Sequence, residues 1–189
     1  MSDTTGPDAR RAHRLPGDKR PTDKIARMIR VDHAGEYGAT RIYDGQLAVL
    51  GRSRSGAAIR EMAEQEKRHL IEFDRLIVAH RIRPTVLTPL WHAAGFALGA
   101  ATALLGEQAA MACTVAVEEV IDAHYGAQSE ALGDDEPALR ATIDEFRADE
   151  RAHHATALAH GARELPGYEV LSAAIKAGSR LAIWLSTRI

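Results

Sequence analysis

Apolar residues recur at every third or fourth position along four segments of the chain, which is the spacing of one face of an α-helix. These segments cover residues 25–50, 59–80, 111–125 and 139–157. Gly51 follows the first segment and Pro84 follows the second, and both residue types commonly end helices. The chain has no long alternating run of β-branched residues, and aromatic residues make up only 5% of it. The pattern therefore predicts an all-α fold.

Each of the four apolar faces is interrupted by a glutamate, and two of them also contain a histidine. The interrupting residues are Glu36, then Glu66 with His69, then Glu118, then Glu150 with His153. The two single glutamates lie 82 residues apart, and the two Glu-His pairs lie 84 residues apart. Tyr43 and Tyr125 extend this match, because each lies seven residues after a single glutamate. The chain is therefore predicted to contain two copies of a helical hairpin, which meet around a site of approximate two-fold symmetry.

A glutamate and a histidine three positions apart project from the same side of a helix and can reach one metal ion. Two such pairs, with a single glutamate from each of two other helices, are the ligand set of a di-iron site in a four-helix bundle. Two divalent iron ions would also cancel the charge of four carboxylates, whose burial is otherwise very costly. The alternative places every Glu-x-x-His pair on a solvated helix face, and it requires all four apolar faces to point into water. We therefore predict two iron ions per chain, in a ferritin-like four-helix bundle.

Composition and charge indicate how the chain is organised into domains and in which compartment it is expected. The chain has 189 residues with 24 basic and 26 acidic side chains, a balance that gives no electrostatic footprint for nucleic acid. Residues 1–21 lack apolar periodicity and are predicted to form a disordered tail, whereas residues 22–189 are predicted to form one ferritin-like domain. The tail has no apolar signal segment, and the single Cys113 cannot form an internal disulfide. We therefore expect the protein on the cytosolic side.

An uncharged stretch separates the second predicted helix from the third. Residues 84–106 contain no Asp, Glu, Lys or Arg, and residues 91–106 have a composition compatible with a helix. That helix has three placements: buried in the crossover, spanning a membrane, or lying at a membrane surface. The C-terminal segment favours the surface placement, because it combines apolar residues with Lys176, Arg180 and Arg188, which suit anionic headgroups. We expect both segments to be additional, membrane-facing helices.

Four segments resemble the hallmark motifs of the demethoxyubiquinone hydroxylases of ubiquinone biosynthesis. They are RVDHAGEYGATRIYDGQ (30–46), EKRHL (66–70), LLGEQAAMACTVAVEEVIDAHY (104–125) and FRADERAHH (146–154). The resemblance covers essentially residues 22–189 and implies that the six residues on the apolar faces are the iron ligands. It also implies roles in substrate binding or electron transfer for His124 and Tyr125. From the residues alone, Tyr125 on a core face is better explained by packing than by catalysis.

The resemblance implies an oxygen-dependent di-iron monooxygenase that hydroxylates the ring of a polyprenylated demethoxyubiquinol. It leaves the reductant open between NADH and another donor, and the chain has no Gly-rich dinucleotide fingerprint. A water-insoluble substrate requires an apolar mouth at the bilayer. We therefore expect a peripheral protein on the cytoplasmic face of the cell membrane, with other ubiquinone-biosynthesis proteins as candidate partners.

Two other functions remain open at this point. The same ligands serve other ferritin-like activities, such as iron storage or a peroxidase reaction. A non-catalytic, membrane-associated helical scaffold is the second alternative, but it would leave the inward-facing glutamates and histidines unexplained.

Overall fold

The computed structural model describes residues 21–189 and contains only helices in that part of the chain. The elements are α1 (Pro21–Leu50), α2 (Gly56–Ala79), α3 (Thr88–Leu104), α4 (Glu107–Leu132), α5 (Pro137–Ala159), a 3₁₀ helix (Ala162–Glu164) and α6 (Tyr168–Ser186). The predicted all-α class is confirmed, and the arrangement is consistent with a ferritin-like bundle. The predicted tail lies outside the described residues, apart from Pro21 at the start of α1.

Helices α1, α2, α4 and α5 form the central bundle. Helix α1 packs along α2 and α4 packs along α5, so each half of the bundle is a helical hairpin. Two apolar layers fill the bundle, one around Tyr43, Ile59 and Met111 and the other around Ile29 and Phe73. On every helix, the glutamates and histidines singled out above lie between the residues of these two layers. The polar cluster is thus enclosed by apolar packing at both ends.

Helix α3 packs against α1 through glycines. A β-carbon on Gly99 would lie 1.9 Å from the carbonyl oxygen of Ile42, and a β-carbon on Gly45 would lie 2.2 Å from that of Phe96. Neither position accepts a side chain unless the two backbones separate. The uncharged, glycine-containing stretch is therefore the sequence of a helix that touches α1 backbone to backbone.

Helix α2 ends within one residue of the apolar stripe that predicts it. The helix ends at Ala79, and Arg81 has a positive φ of 53°. Pro84 lies in the irregular segment between α2 and α3.

The faces of α3 and α6 that point away from the bundle expose several large apolar side chains. They are Leu90, Phe96 and Leu104 on α3, Leu105 just after it, and Val170, Leu181 and Trp184 on α6. Within the described part of the chain, none of the helices combines the length and the apolar character needed to cross a membrane.

Candidate metal centre

The central turns of α1, α2, α4 and α5 bring the six glutamates and histidines together in the middle of the bundle. Each of these residues is between 1% and 3% exposed. The ligand atoms form two groups of four, and within each group all atoms lie within 4.8 Å of one another. The groups are Glu36, Glu66, His69 and Glu150, and Glu66, Glu118, Glu150 and His153. Glu66 and Glu150 belong to both groups, which is the arrangement expected of carboxylates that bridge two metal ions.

Both histidines point the same ring nitrogen into the cluster. Nδ1 of His69 lies 3.3 Å from a carboxylate oxygen of Glu150, and Nδ1 of His153 lies 3.1 Å from one of Glu66. The Nε2 atoms point outward, where His69 donates to Oδ2 of Asp149 over 3.0 Å and His153 donates to Oε1 of Gln65 over 2.6 Å. A donor bond from Nε2 fixes the tautomer in which Nδ1 carries the free lone pair. Both rings are therefore oriented as metal ligands.

Among the described residues, only the two histidines, and no lysine or arginine, form ion pairs with the buried carboxylates of the cluster. Burial, followed by repulsion from Glu150, raises the pKa of Glu66 and of Glu118 well above the usual 4.5. Burial lowers the pKa of His69, but Glu150 and Glu36 outweigh it and raise that pKa to about 11. Several buried atoms also lack a hydrogen-bond partner, namely Oε2 of Glu36, both carboxylate oxygens of Glu66 and Nδ1 of His69. Such a cluster fits divalent cations, which supply positive charge and satisfy these atoms.

A tyrosine from each hairpin donates to a single glutamate of the other hairpin. The Tyr43 hydroxyl donates to Oε1 of Glu118 over 3.0 Å, and the Tyr125 hydroxyl donates to Oε1 of Glu36. The internal repeat that relates Tyr43 to Tyr125 in the sequence therefore also relates their hydrogen bonds in the structure. Tyr125 is both packed in the core and hydrogen-bonded to the cluster, which explains why the sequence alone did not separate the two roles.

His124 lies outside the two groups of four. Its Nε2 lies 3.1 Å from Oδ1 of Asp32, a carboxylate that is itself fully buried. The same oxygen accepts a 2.8 Å hydrogen bond from the side-chain amide of Gln128. Asp32 and Glu36 lie one helical turn apart on α1, and they contact the consecutive residues His124 and Tyr125 on α4. The polar network thus extends one turn beyond the candidate ligands.

An apolar groove of about 380 Å³ lies between α1, α3, α4 and α6. Four of the six α1 residues that line it are glycine or alanine, among them Gly35, Gly38 and Ala39, and Val117 of α4 also lines it. Gly35 directly precedes Glu36, and Val117 directly precedes Glu118. Consecutive residues of a helix point about 100° apart, so the groove runs beside the stretches of α1 and α4 that carry the single glutamates, on a different face of each helix.

Gln65 and Asp149 are partners of the cluster that the sequence pattern did not predict. Each of them directly precedes the glutamate of a Glu-x-x-His pair, and they lie 84 residues apart, like the pairs themselves. Extending the repeat by one residue would have found them. Asp32 lies four residues before Glu36 on the same apolar face, but its pairing with His124 and Gln128 gave no signal, because only the folded structure brings α1 and α4 together.

The fold and this cluster define a class of helical-bundle proteins in which buried carboxylates and histidines from four helices form two adjoining groups that could each hold a metal ion. Residues 23–186 match the model of the family described as ubiquinone biosynthesis protein COQ7. The chain belongs to this family.

Characterised relatives are similar over most of their length. A protein from Rhodospirillum rubrum named 3-demethoxyubiquinol 3-hydroxylase is 60% identical over 177 residues, which cover 93% of this chain and 84% of the relative. The human protein named NADPH-dependent 3-demethoxyubiquinone 3-hydroxylase, mitochondrial, is 54% identical and covers 87% of this chain and 78% of the relative. A Saccharomyces cerevisiae protein named 5-demethoxyubiquinone hydroxylase, mitochondrial, is 41% identical, with the same coverages of 87% and 78%.

Proposed function

We propose that this protein is an oxygen-dependent di-iron monooxygenase that hydroxylates the ring of a demethoxyubiquinol in ubiquinone biosynthesis. The observation that carries the proposal is the pair of four-residue groups that share Glu66 and Glu150. Membership of the COQ7 family and the names of the relatives support the substrate class.

The residues present fit two iron ions. Glu36 and His69 would hold one ion, Glu118 and His153 would hold the other, and Glu66 and Glu150 would bridge them. Bound iron supplies the reaction with dioxygen that hydroxylation of an aromatic ring requires.

The chain itself supplies orientation and an environment without bulk water. Asp149 and Gln65 hold the two imidazole rings in position, and Tyr43 and Tyr125 hold the carboxylates of Glu118 and Glu36. The apolar layers at both ends of the cluster keep bulk water away from the centre, which limits side reactions during hydroxylation.

The groove provides a site for the substrate. Its lining is almost entirely apolar, as a polyprenylated ring requires, and most of the α1 residues in its wall are glycine or alanine. These small residues let the ring lie close to the backbone of α1, beside the turn that carries Glu36. We assign His124 and Tyr125 to substrate binding or electron transfer, because both lie beside Glu36 and Asp32 at this part of α1 and α4.

The exposed apolar side chains of α3 and α6 suit contact with a bilayer, from which an insoluble quinol would enter the groove. We therefore place the protein at the cytoplasmic face of the cell membrane as a peripheral protein. The electron donor in this proposal is a reduced nicotinamide nucleotide. The sequence leaves NADH and other reductants open, and the name of the human relative specifies NADPH.

The test is quinone analysis of cells that lack the protein, combined with assay of the purified, iron-loaded chain. The mutant cells should accumulate a demethoxyubiquinone, and the purified chain should convert the reduced form to its hydroxylated product with oxygen and a reduced nicotinamide nucleotide. Normal quinone pools in the mutant cells would exclude the proposal. Iron uptake far beyond two ions per chain would instead support iron storage.

A further inference from the structure

Asp32 is a buried carboxylate that belongs to neither group of candidate metal ligands. Its side chain is 0% exposed, and burial raises its pKa despite the hydrogen bonds that it accepts. Its second oxygen, Oδ2, has no hydrogen-bond partner among the described residues. A buried carboxylate costs stability unless it is paired, so its retention requires an explanation.

The contacts of Asp32 fix the orientation of two side chains on α4. Oδ1 lies 3.1 Å from Nε2 of His124 and 2.8 Å from Nε2 of Gln128. An ionised carboxylate only accepts, so the Gln128 amide donates to it, because turning the amide over would place its oxygen against the carboxylate. Nε2 of Gln128 also lies 2.9 Å from Nε2 of His124, a contact whose direction depends on the imidazole tautomer. The ionised Asp32 favours the His124 tautomer that carries its proton on Nε2, because the other tautomer would turn a lone pair toward the negative oxygen, and Nδ1 is then left as an acceptor.

His124 lies one helical turn beyond the part of α4 that lines the apolar groove. Val31, next to Asp32, and Ile121, three residues before His124, both line that groove. Residues three apart share a side of a helix, so His124 continues the groove-lining side of α4. Its side chain is 20% exposed, and the next residue, Tyr125, donates to Glu36. His124 is therefore the polar residue that follows the groove lining on α4 and directly precedes a residue in contact with the cluster.

We propose that Asp32, assisted by Gln128, is a positioning residue that holds His124 in the Nε2-protonated tautomer, so that Nδ1 accepts a hydrogen bond from a ring hydroxyl of the substrate. This inference rests on the proposed function, because it takes the quinol ring as the occupant of the groove. A phenolic hydroxyl is a good donor, and neutral imidazole is the acceptor that suits it. The hydrogen bond would fix which edge of the ring faces the centre. Asp32 would act only through His124.

The decisive variant is Asp32→Asn, which keeps the shape of the side chain but can donate as well as accept. It would permit the other tautomer and turn Nδ1 from an acceptor into a donor. We expect kcat/KM for a short-tailed demethoxyubiquinol to fall about 10-fold to 100-fold, mainly through KM, with unchanged iron content. The matched control is Asp74→Asn. Asp74 lies on α2, and its carboxylate pairs with His33 of α1 over 3.0 Å. Unlike the buried side chain of Asp32, the side chain of Asp74 is 61% exposed. This control should leave kcat/KM unchanged.

The tautomer itself is measured on the unmodified protein, so the test does not depend on the variant folding. Zinc-loaded protein is diamagnetic, and the ¹⁵N shifts of the His124 ring should show the proton on Nε2. A proton on Nδ1 would overturn the proposal, as would an Asp32→Asn protein with the original tautomer and an unchanged KM. If the unmodified, iron-loaded chain turns over no demethoxyubiquinol, the proposed function fails instead, and the two failures are distinguishable.

Discussion

The indole N–H of Trp91 on α3 donates a 3.0 Å hydrogen bond to Oγ of Ser186 on α6, across the apolar groove. The backbones of these two helices do not come into contact elsewhere in the described chain, so the hydrogen bond ties together opposite walls of the groove. Ser186 is almost fully buried. Without the indole N–H of Trp91, its hydroxyl would lose this hydrogen bond inside the protein.

Replacing Trp91 with Phe keeps an aromatic ring but removes the N–H donor together with one of the two fused rings, a loss of volume that the control below shares. We expect the free energy of unfolding to fall by about 1 to 3 kcal/mol, because a buried hydroxyl is left unsatisfied. Urea denaturation measures this change. Trp184→Phe is the control, since Trp184 is 51% exposed, and it should change stability by less than about 0.5 kcal/mol. Equal effects of the two variants would contradict a structural role for the hydrogen bond.

The shared carboxylates predict unequal losses of iron. Glu118 belongs to one group of four and Glu66 belongs to both. We therefore expect Glu118→Ala to retain about one iron ion per chain and Glu66→Ala to retain almost none, with activity abolished in both. Metal analysis of the purified variants measures this difference. The same iron content in both variants would contradict the bridging assignment.

The raised pKa values predict how the metal-free protein responds to pH. Burial raises the pKa of Glu66 and Glu118 above 4.5, and the neighbouring carboxylates raise that of His69 from 6.5 to about 11. Between the unfolded and folded pKa values, the folded chain binds more protons than the unfolded chain. Its stability is therefore greatest at low pH within this window and is lost as the pH rises.

We expect the Tm of the metal-free protein to fall by about 5 °C or more between about pH 6 and about pH 9. Bound metal replaces these protons, so the Tm of the metal-loaded protein should not show this fall. Thermal scans of both forms test the prediction. A metal-free protein that becomes more stable with rising pH would show that its buried groups are compensated in another way.

The glycine contact between α1 and α3 predicts opposite effects of two alanine substitutions. Gly99→Ala places a β-carbon 1.9 Å from the Ile42 carbonyl oxygen, and we expect it to destabilise the fold by about 1 to 3 kcal/mol. Gly178 of α6 has no atom within 4 Å of the corresponding position. Gly178→Ala should stabilise the fold by up to about 1 kcal/mol, because alanine favours helix. Chemical denaturation of the two variants should therefore give changes of opposite sign.

The proposed membrane surface predicts a loss of liposome binding that depends on position. Trp91 and Leu98 of α3 line the groove, so changing them would alter the groove as well as the surface. Exposed side chains of α3 and α6 are therefore the better positions for testing the surface alone. We expect Leu104→Glu combined with Trp184→Glu to reduce flotation with anionic liposomes about 10-fold or more. The control is Val78→Glu on α2, which is 76% exposed, compared with 75% for Leu104. Unchanged flotation of the double variant would remove α3 and α6 as the contact surface.

The sequence predicted best those features whose residues all lie on a single helix. The periodicity predicted the helices around Glu36, Glu66, Glu118 and Glu150, and the repeat predicted that they would meet, because a buried carboxylate on an apolar face must find a compensating group. It did not predict which residues contact one another across helices. Asp32 with His124, and Trp91 with Ser186, depend on how far each helix is rotated and shifted, and these quantities are set by packing. The backbone contact at Gly99 was hidden for the same reason, since a glycine in a helix has no periodic signature.

The two hairpins repeat each other in position but not in charge. One outward-facing imidazole nitrogen is held by the carboxylate of Asp149 and the other by the neutral amide of Gln65. An anionic partner makes an imidazole a stronger electron donor than an amide partner does. The two ends of the centre are therefore electrostatically different, although the two halves of the chain repeat each other. Two ions with similar ligands would differ in how tightly they are held and would exchange in a fixed order.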